Sequence, residues 1–241
     1  MPLDGLSVLL SAVAFGGLVY GLSSIEKMLN GGAWVEFAVS VIGAVGLIIF
    51  ILRQRRLALD DRALMDLRPF HVRNFTLAVI ILLVSFGLML GMVTVLPIYL
   101  QTTLGATAFA TGLAVMPGGI LQAFLSPFVG RIFDSLGPRP LMIPGSLFMV
   151  VSLWLMATLS ESSTLWMVVG MHVLFSLGMC LMMTPLMTVS LSSLPDDLYS
   201  HGSAILNTLQ QLAGAAGTAF LVAFLTSGTK SGQAEGMSEA A

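Results

Sequence analysis

Charge is scarce in this sequence. Asp, Glu, Lys and Arg make up 9% of its 241 residues, against 56% hydrophobic residues. A water-soluble domain carries about 25% charged residues, so a chain this apolar has too little polar surface to cover itself in water. The charges are also clustered, and the long uncharged runs between them are what point to a bilayer. Cysteine is nearly absent. Cys180 alone, set in an apolar run, excludes a disulfide framework or thiolate metal site within one chain and reads as a small buried hydrophobe. A net charge of −2 gives no basic field for nucleic acid. The sequence has no H-E-x-x-H, G-x-S-x-G, P-loop or G-x-G-x-x-G motif. Its three histidines, His71, His172 and His201, are too far apart in sequence to read as a metal site. No enzyme, cofactor or metal is expected.

Seven apolar runs are present, at about Leu6–Ile25, Trp34–Leu52, Phe75–Tyr99, Ala108–Val129, Leu141–Leu159, Leu165–Leu191 and Ser203–Phe224. Each is near the roughly 20 residues that cross a bilayer as a helix. They are too long and too continuously apolar for barrel strands, and helices satisfy their own backbone groups in lipid. The expected fold class is therefore all-α integral membrane. The opening Met1-Pro2-Leu3-Asp4 lacks a basic leader region, so the first run is expected to stay in the protein. Four segments follow: 1–52 with two helices, a basic loop at 53–73, five helices over 74–225, and a flexible Gly/Ser/Ala/Glu-rich tail at 226–241 that looks cut off.

Arginine sets the orientation. Arg53, Arg55, Arg56, Arg62, Arg68 and Arg73 lie between the second and third runs, and Arg131 and Arg139 flank the link between the fourth and fifth. With seven spans these links share a face, leaving Lys27 and Lys230 opposite. The positive-inside rule makes the arginine face cytoplasmic, with the N-terminus inside and the C-terminus outside. Asp196 and Asp197 also fall on the inner side, but acidic residues count little in this rule. The arginines of the long loop suit either a topology signal in a solvated connector or contact with anionic headgroups.

Ionisable groups inside spans are the usual functional candidates, because burying a charge there costs at least about 2.5–3.5 kcal/mol. Here they reduce to Glu36, near the outer end of the second run, and His172, inside the sixth. No aspartate or glutamate lies deep in any run. Uncharged polar and small residues form stripes instead: Ala114, Gly118, Gln122, Ser126 and Gly130 in the fourth run, and Asn207, Gln211, Gly214 and Thr218 in the seventh. Gly87 and Gly91 form a G-x-x-x-G pair. Such stripes serve close helix packing or line a polar cavity. The sixth run carries Met167, Met171, Met179, Met182, Met183 and Met187, which suit packing, lipid contact or a surface accepting varied apolar ligands. Pro97, Pro117, Pro127 and Pro185 are expected to kink their helices. The substrate-cavity candidates are Gln122, His172, Met179, Met183, Asn207 and Gln211.

The strongest local pattern is Gly130-Arg131-Ile132-Phe133-Asp134-Ser135-Leu136-Gly137-Pro138-Arg139, read as a tight cytoplasmic turn in which Asp134 pairs with Arg131 or Arg139. Gly130, Asp134, Gly137 and Arg139 resemble the cytoplasmic loop signature of the major facilitator superfamily. Ser135 and Pro138 depart from it at positions where the family has arginine, as suits the looser second copy of the signature. Further stretches resemble the fourteen-helix drug:proton antiporters. They are Leu64-Met65-Asp66-Leu67-Arg68-Pro69-Phe70 with Arg73-Asn74-Phe75, Leu96-Pro97-Ile98-Tyr99-Leu100-Gln101 with Leu104-Gly105, Gly112-Leu113 with Met116-Pro117-Gly118, and Gly202-Ser203-Ala204 with Asn207, Thr208 and Gln211.

The resemblance implies that the first two helices are the extra pair between the transporter halves. The remaining five are then the first five helices of the C-terminal half. The N-terminal half, where the family's best-known proton-coupling carboxylates lie, and the last helix are absent. It also implies proton-coupled efflux of hydrophobic drugs in the cell membrane once the missing half completes the protein, with small hydrophobic compounds, protons and the lipid bilayer as partners and self-association of the unpaired face. A chain of this kind is not expected to transport alone. Two alternatives stand beside this reading. One is a membrane remnant that binds another membrane protein. The other is a seven-helix receptor, against which the cytoplasmic N-terminus and the absence of a lysine in the last span both argue.

Overall fold

The computed structural model describes residues 4–29, 34–60 and 63–239. Met1, Pro2, Leu3 and Arg62 lie outside the described residues, as does the end of the expected tail. The described chain is helical throughout: α1 Gly5–Ser23, α2 Ile25–Leu29, α3 Trp34–Leu57, α4 Arg73–Thr102, α5 Ala108–Leu136, α6 Arg139–Met156, α7 Leu165–Ser192 and α8 Asp196–Glu239, with 3₁₀ turns at Ala58–Asp60 and Arg68–His71. Among the described residues seven helices are long and apolar enough to cross a membrane, α8 over Asp196–Thr226. At about 1.5 Å per residue, even the shorter α1 spans close to 30 Å.

Several helices overrun the apolar runs. α5 continues past Val129 to Leu136, so most of the expected tight turn is its last two turns. The break falls at Gly137, whose φ of 77° is a conformation that disfavours any side chain. Its N–H closes the helix on the Phe133 carbonyl at 2.8 Å. α8 starts seven residues before Ser203, directly after Pro195, with Asp196 and Asp197 in its first turn, where the helix dipole favours carboxylates. The segment expected as a flexible tail is helical to Glu239, continuous with α8. No proline interrupts it after Pro195.

The chain forms two compact units, residues 1–95 with 194–241, and residues 96–193. In the first, α1 and α3 form an antiparallel hairpin. A β-carbon at Gly17 would sit 2.7 Å from the Gly43 Cα, and one at Gly21 would sit 2.1 Å from the Ser40 hydroxyl. The α4 pair Gly87 and Gly91 meets the α8 backbone at Ala213 and Gly217. The absent side chains let main chains touch, which dispersion rewards in lipid. In the second unit α7 packs between α5 and α6. A β-carbon at Gly178 would meet the Gly145 carbonyl at 2.8 Å, and one at Gly118 would meet the Ser176 hydroxyl at 2.4 Å. Val129, Leu141 and Cys180 close this packing, with Leu125, Phe133 and Leu181 around them.

Candidate functional site

The predicted cavity residues divide between the two units. In the second, α5 and α7 run in register, Gly118 beside Ser176 and the Gln122 carbonyl 3.8 Å from the Cys180 sulfur. His172 lies one turn before Ser176 and packs its ring against Gly118. It is 7% exposed, and its Nδ1 is buried without a hydrogen-bond partner among the described residues. Met179 is 1% exposed, in the packed seam, whereas Met183 is half-buried. Met171 and Met182 are buried and Met167 is exposed, so the methionines of α7 point to more than one side of the helix.

In the first unit, Gln211 lines a cavity of about 480 Å³ between α1, α4 and α8, with Leu90, Thr94, Thr218 and Val222 among its walls. Among the described residues no charged side chain lines it. Asn207, one turn earlier on α8, is exposed and outside this lining. Glu36 sits in the first turn of α3, at the helix end.

The loop signature is positioned by the end of α5. Among the described residues no ion pair joins Asp134 to Arg131 or Arg139. The expected charge cluster is therefore not formed. The Arg131 guanidinium turns back along its own helix and lies 5.8 Å from the centre of the Phe128 ring, a cation–π contact that competes with an exposed ion pair of similar small worth. Gly137 supplies the break between helices and Arg139 opens α6. Gly130 lies within α5, with open space where a β-carbon would be.

Sequence reasoning missed a polar network at one end of the α1–α3 hairpin. The Ser7 hydroxyl donates to the Asp4 carboxylate at 2.6 Å and accepts from Gln54 Nε2 at 2.8 Å. Arg53 pairs with Asp4 at 2.8 Å. Gln54 Oε1 accepts the Met65 backbone N–H at 3.0 Å, tying the following loop to the hairpin. Ser7 and Gln54 are fully buried. The Ser7 hydroxyl and then Arg53 hold the Asp4 carboxyl below the usual range. Further along the loop, buried Asp66 pairs with Arg68 and donates its backbone N–H to His201 Nδ1 at 3.3 Å, docking the loop on α8.

Apolar helices that pack through paired glycines, seven of them among the described residues long enough to cross a bilayer, define a multi-pass membrane protein. Comparison with known proteins makes this specific. The family model of the Major Facilitator Superfamily matches residues 4–218, and the chain belongs to that family. It is 38% identical to Lincomycin resistance protein LmrB of Listeria monocytogenes, over 95% of this chain and 48% of that protein. The LmrB of Bacillus subtilis is 40% identical, over 94% and 47%. The Multidrug export protein EmrB of Escherichia coli is 29% identical, over 90% and 43%. The chain thus spans about half the length of the curated relatives it matches. Membership of a transporter family displaces the receptor alternative.

Proposed function

We propose that this chain is part of a secondary active transporter that exports apolar drugs in exchange for protons, and that it does not transport alone. In this reading residues 1–52 are the two linking helices, 53–73 a basic cytoplasmic loop, and 74–225 five helices of the C-terminal half. The membrane is the cell membrane, with the N-terminus in the cytoplasm. The observation that carries the substrate class is the cavity beside Gln211, whose described lining is uncharged and whose apolar walls and few hydroxyl and amide groups suit a hydrophobic compound with one or two polar atoms. The relatives' names, lincomycin resistance and multidrug export, support the same class.

Proton exchange requires a group whose charge changes. In the spans of this chain the groups that could serve are His172 and Glu36, and the missing half would supply the carboxylates. Alternating access needs two halves rocking about a shared site, and this chain supplies the residues of one. The test is reconstitution in proteoliposomes under an imposed pH gradient. The chain alone should move no apolar cation, and co-reconstitution with the N-terminal half of an LmrB-type relative should restore movement that a protonophore abolishes. Gradient-driven movement by the chain alone refutes the proposal. A second reading, a membrane partner bound through the α8 face, draws on exposed Asn207 and Gln211. Polar side chains in lipid favour association by about 0.6–2 kcal/mol per interhelical hydrogen bond.

A further inference from the structure

The loop after α3 builds a second concave site that the transport reading leaves unused. A cavity of about 530 Å³ lies where α3 gives way to the two 3₁₀ turns. Arg55, Arg68 and His71 line it with N–H donors, and Ile51, Leu59 and Phe70 with apolar surface. Among the described residues Asp66 is the one acidic lining residue, and that carboxylate is 2% exposed and already paired with Arg68. Among the described lining residues, the Asp66–Arg68 pair is charge-balanced and Arg55 adds a positive charge beyond it. Arg55 is exposed and has no hydrogen-bond or ion-pair partner among the described residues.

The site's level in the protein narrows its ligand. The apolar run of α3 ends at Leu52, and Arg55 follows one turn on, where hydrocarbon gives way to headgroups. Guanidinium groups at this level recognise phosphate oxygens through charge-assisted hydrogen bonds. A free phosphate would satisfy Arg55 but leave the apolar wall wet, and Leu59 is 86% and Phe70 38% exposed. A phosphate carrying acyl chains would cover both. We propose that this cavity holds the headgroup of an anionic phospholipid, with Arg55 on the phosphate, His71 at its edge, and an acyl chain against Ile51 and Phe70. Basic pockets at the cytoplasmic ends of spanning helices are suited to such lipids.

The test uses the purified full chain in neutral detergent, offered phosphatidylglycerol, phosphatidylcholine or inorganic phosphate at equal concentration. Lipid retention is read by native mass spectrometry and stability by thermal unfolding. Phosphatidylglycerol should be retained several-fold over phosphatidylcholine and should raise the unfolding temperature, while inorganic phosphate should not. Arg55→Gln and His71→Gln should each lower that retention several-fold. Arg56→Gln, on the same helix but outside the lining, should leave it unchanged. Both lining residues changed are exposed, so the fold should tolerate the substitutions. Equal retention of the two lipids, unchanged retention in Arg55→Gln, or a thermal shift reproduced by inorganic phosphate would overturn the proposal, the last by making a free anion the ligand.

Discussion

A β-carbon at Gly217 would sit 2.1 Å from the carbonyl oxygen of Gly87, so α8 and α4 touch backbone to backbone at this pair. Main-chain atoms cannot swing aside as a side chain can, so even a methyl group must push the helices apart. Overpacking of this kind costs about 1–3 kcal/mol. Gly217→Ala should therefore lower stability by that amount in detergent-based unfolding. Gly119→Ala is the control: open space surrounds that position, and alanine is the better helix former, so stability should hold or rise. Equal effects of the two substitutions would show that the α4–α8 contact is not tight.

Gln54 is fully buried and uses both ends of its amide, one on Ser7 and one on the Met65 N–H. Gln54→Leu removes both bonds; the Ser7 hydroxyl keeps its bonds to Asp4 and Arg53, while the part-buried Met65 N–H loses its partner, at about 1–3 kcal/mol. The loop after α3 should loosen first. Amide exchange at Met65 is expected to accelerate in Gln54→Leu, while exchange in the middle of α7 stays slow. Uniform acceleration would mean the network holds the whole fold rather than the loop.

The spans were legible because a continuous apolar run has one solution in lipid, a helix. The contact made by Gly87 and Gly91 was legible because their spacing places both on one helix face. The Ser7–Gln54 network was not, because Gln54 sits among arginines at the end of an apolar run and reads there as a solvated loop residue. Asp66 meets His201 across 135 positions of sequence, which no local pattern encodes. The Asp134 pairing was expected from proximity in sequence. Arg131 has its own apolar neighbour at Phe128, three residues back on the same helix, and side-chain direction decided the outcome. Of the cavity candidates, Gln211 was picked for its polarity and lines a cavity. Residue type alone could not separate that position from Met179, which packing buries in a seam of α7.

The Asp4–Arg53 pair makes stability depend on pH. The Ser7 hydrogen bond and Arg53 lower the Asp4 pKa in the folded state. A depressed carboxylate contributes stability above its unfolded-state pKa, and that contribution is lost as pH falls through the folded-state value. Asp4→Asn should unfold at a lower temperature than the parent near neutral pH, and the gap should close in acid below the ordinary carboxylate range. The pair is partly exposed, so the gap should also shrink in high salt. A gap independent of pH would assign the effect of Asp4 to helix capping rather than charge.

Orientation in the membrane rests on eight arginines, and it can be read directly. The Arg53–Arg73 loop and the α5–α6 turn fall after the second and fourth spans, so any seven-span arrangement puts them on one face. The α6–α7 loop, after the fifth span, must lie on the other. Ser135, at the end of α5, and Ser162, in the α6–α7 loop, are both exposed, and their hydroxyls make only local bonds. Cysteine should fit at either position. Cys180 is buried and can be replaced by alanine to give a silent background. In intact cells an impermeant maleimide should label Ser162→Cys and leave Ser135→Cys unlabelled until the membrane is opened. The reverse pattern would place the arginines outside, against the charge bias that governs insertion. It would also move the Arg55 cavity away from the cytoplasmic leaflet, where anionic lipids attract basic segments. Labelling of both positions from outside would mean that the number of crossings between them is even, and α6 would then not span the bilayer.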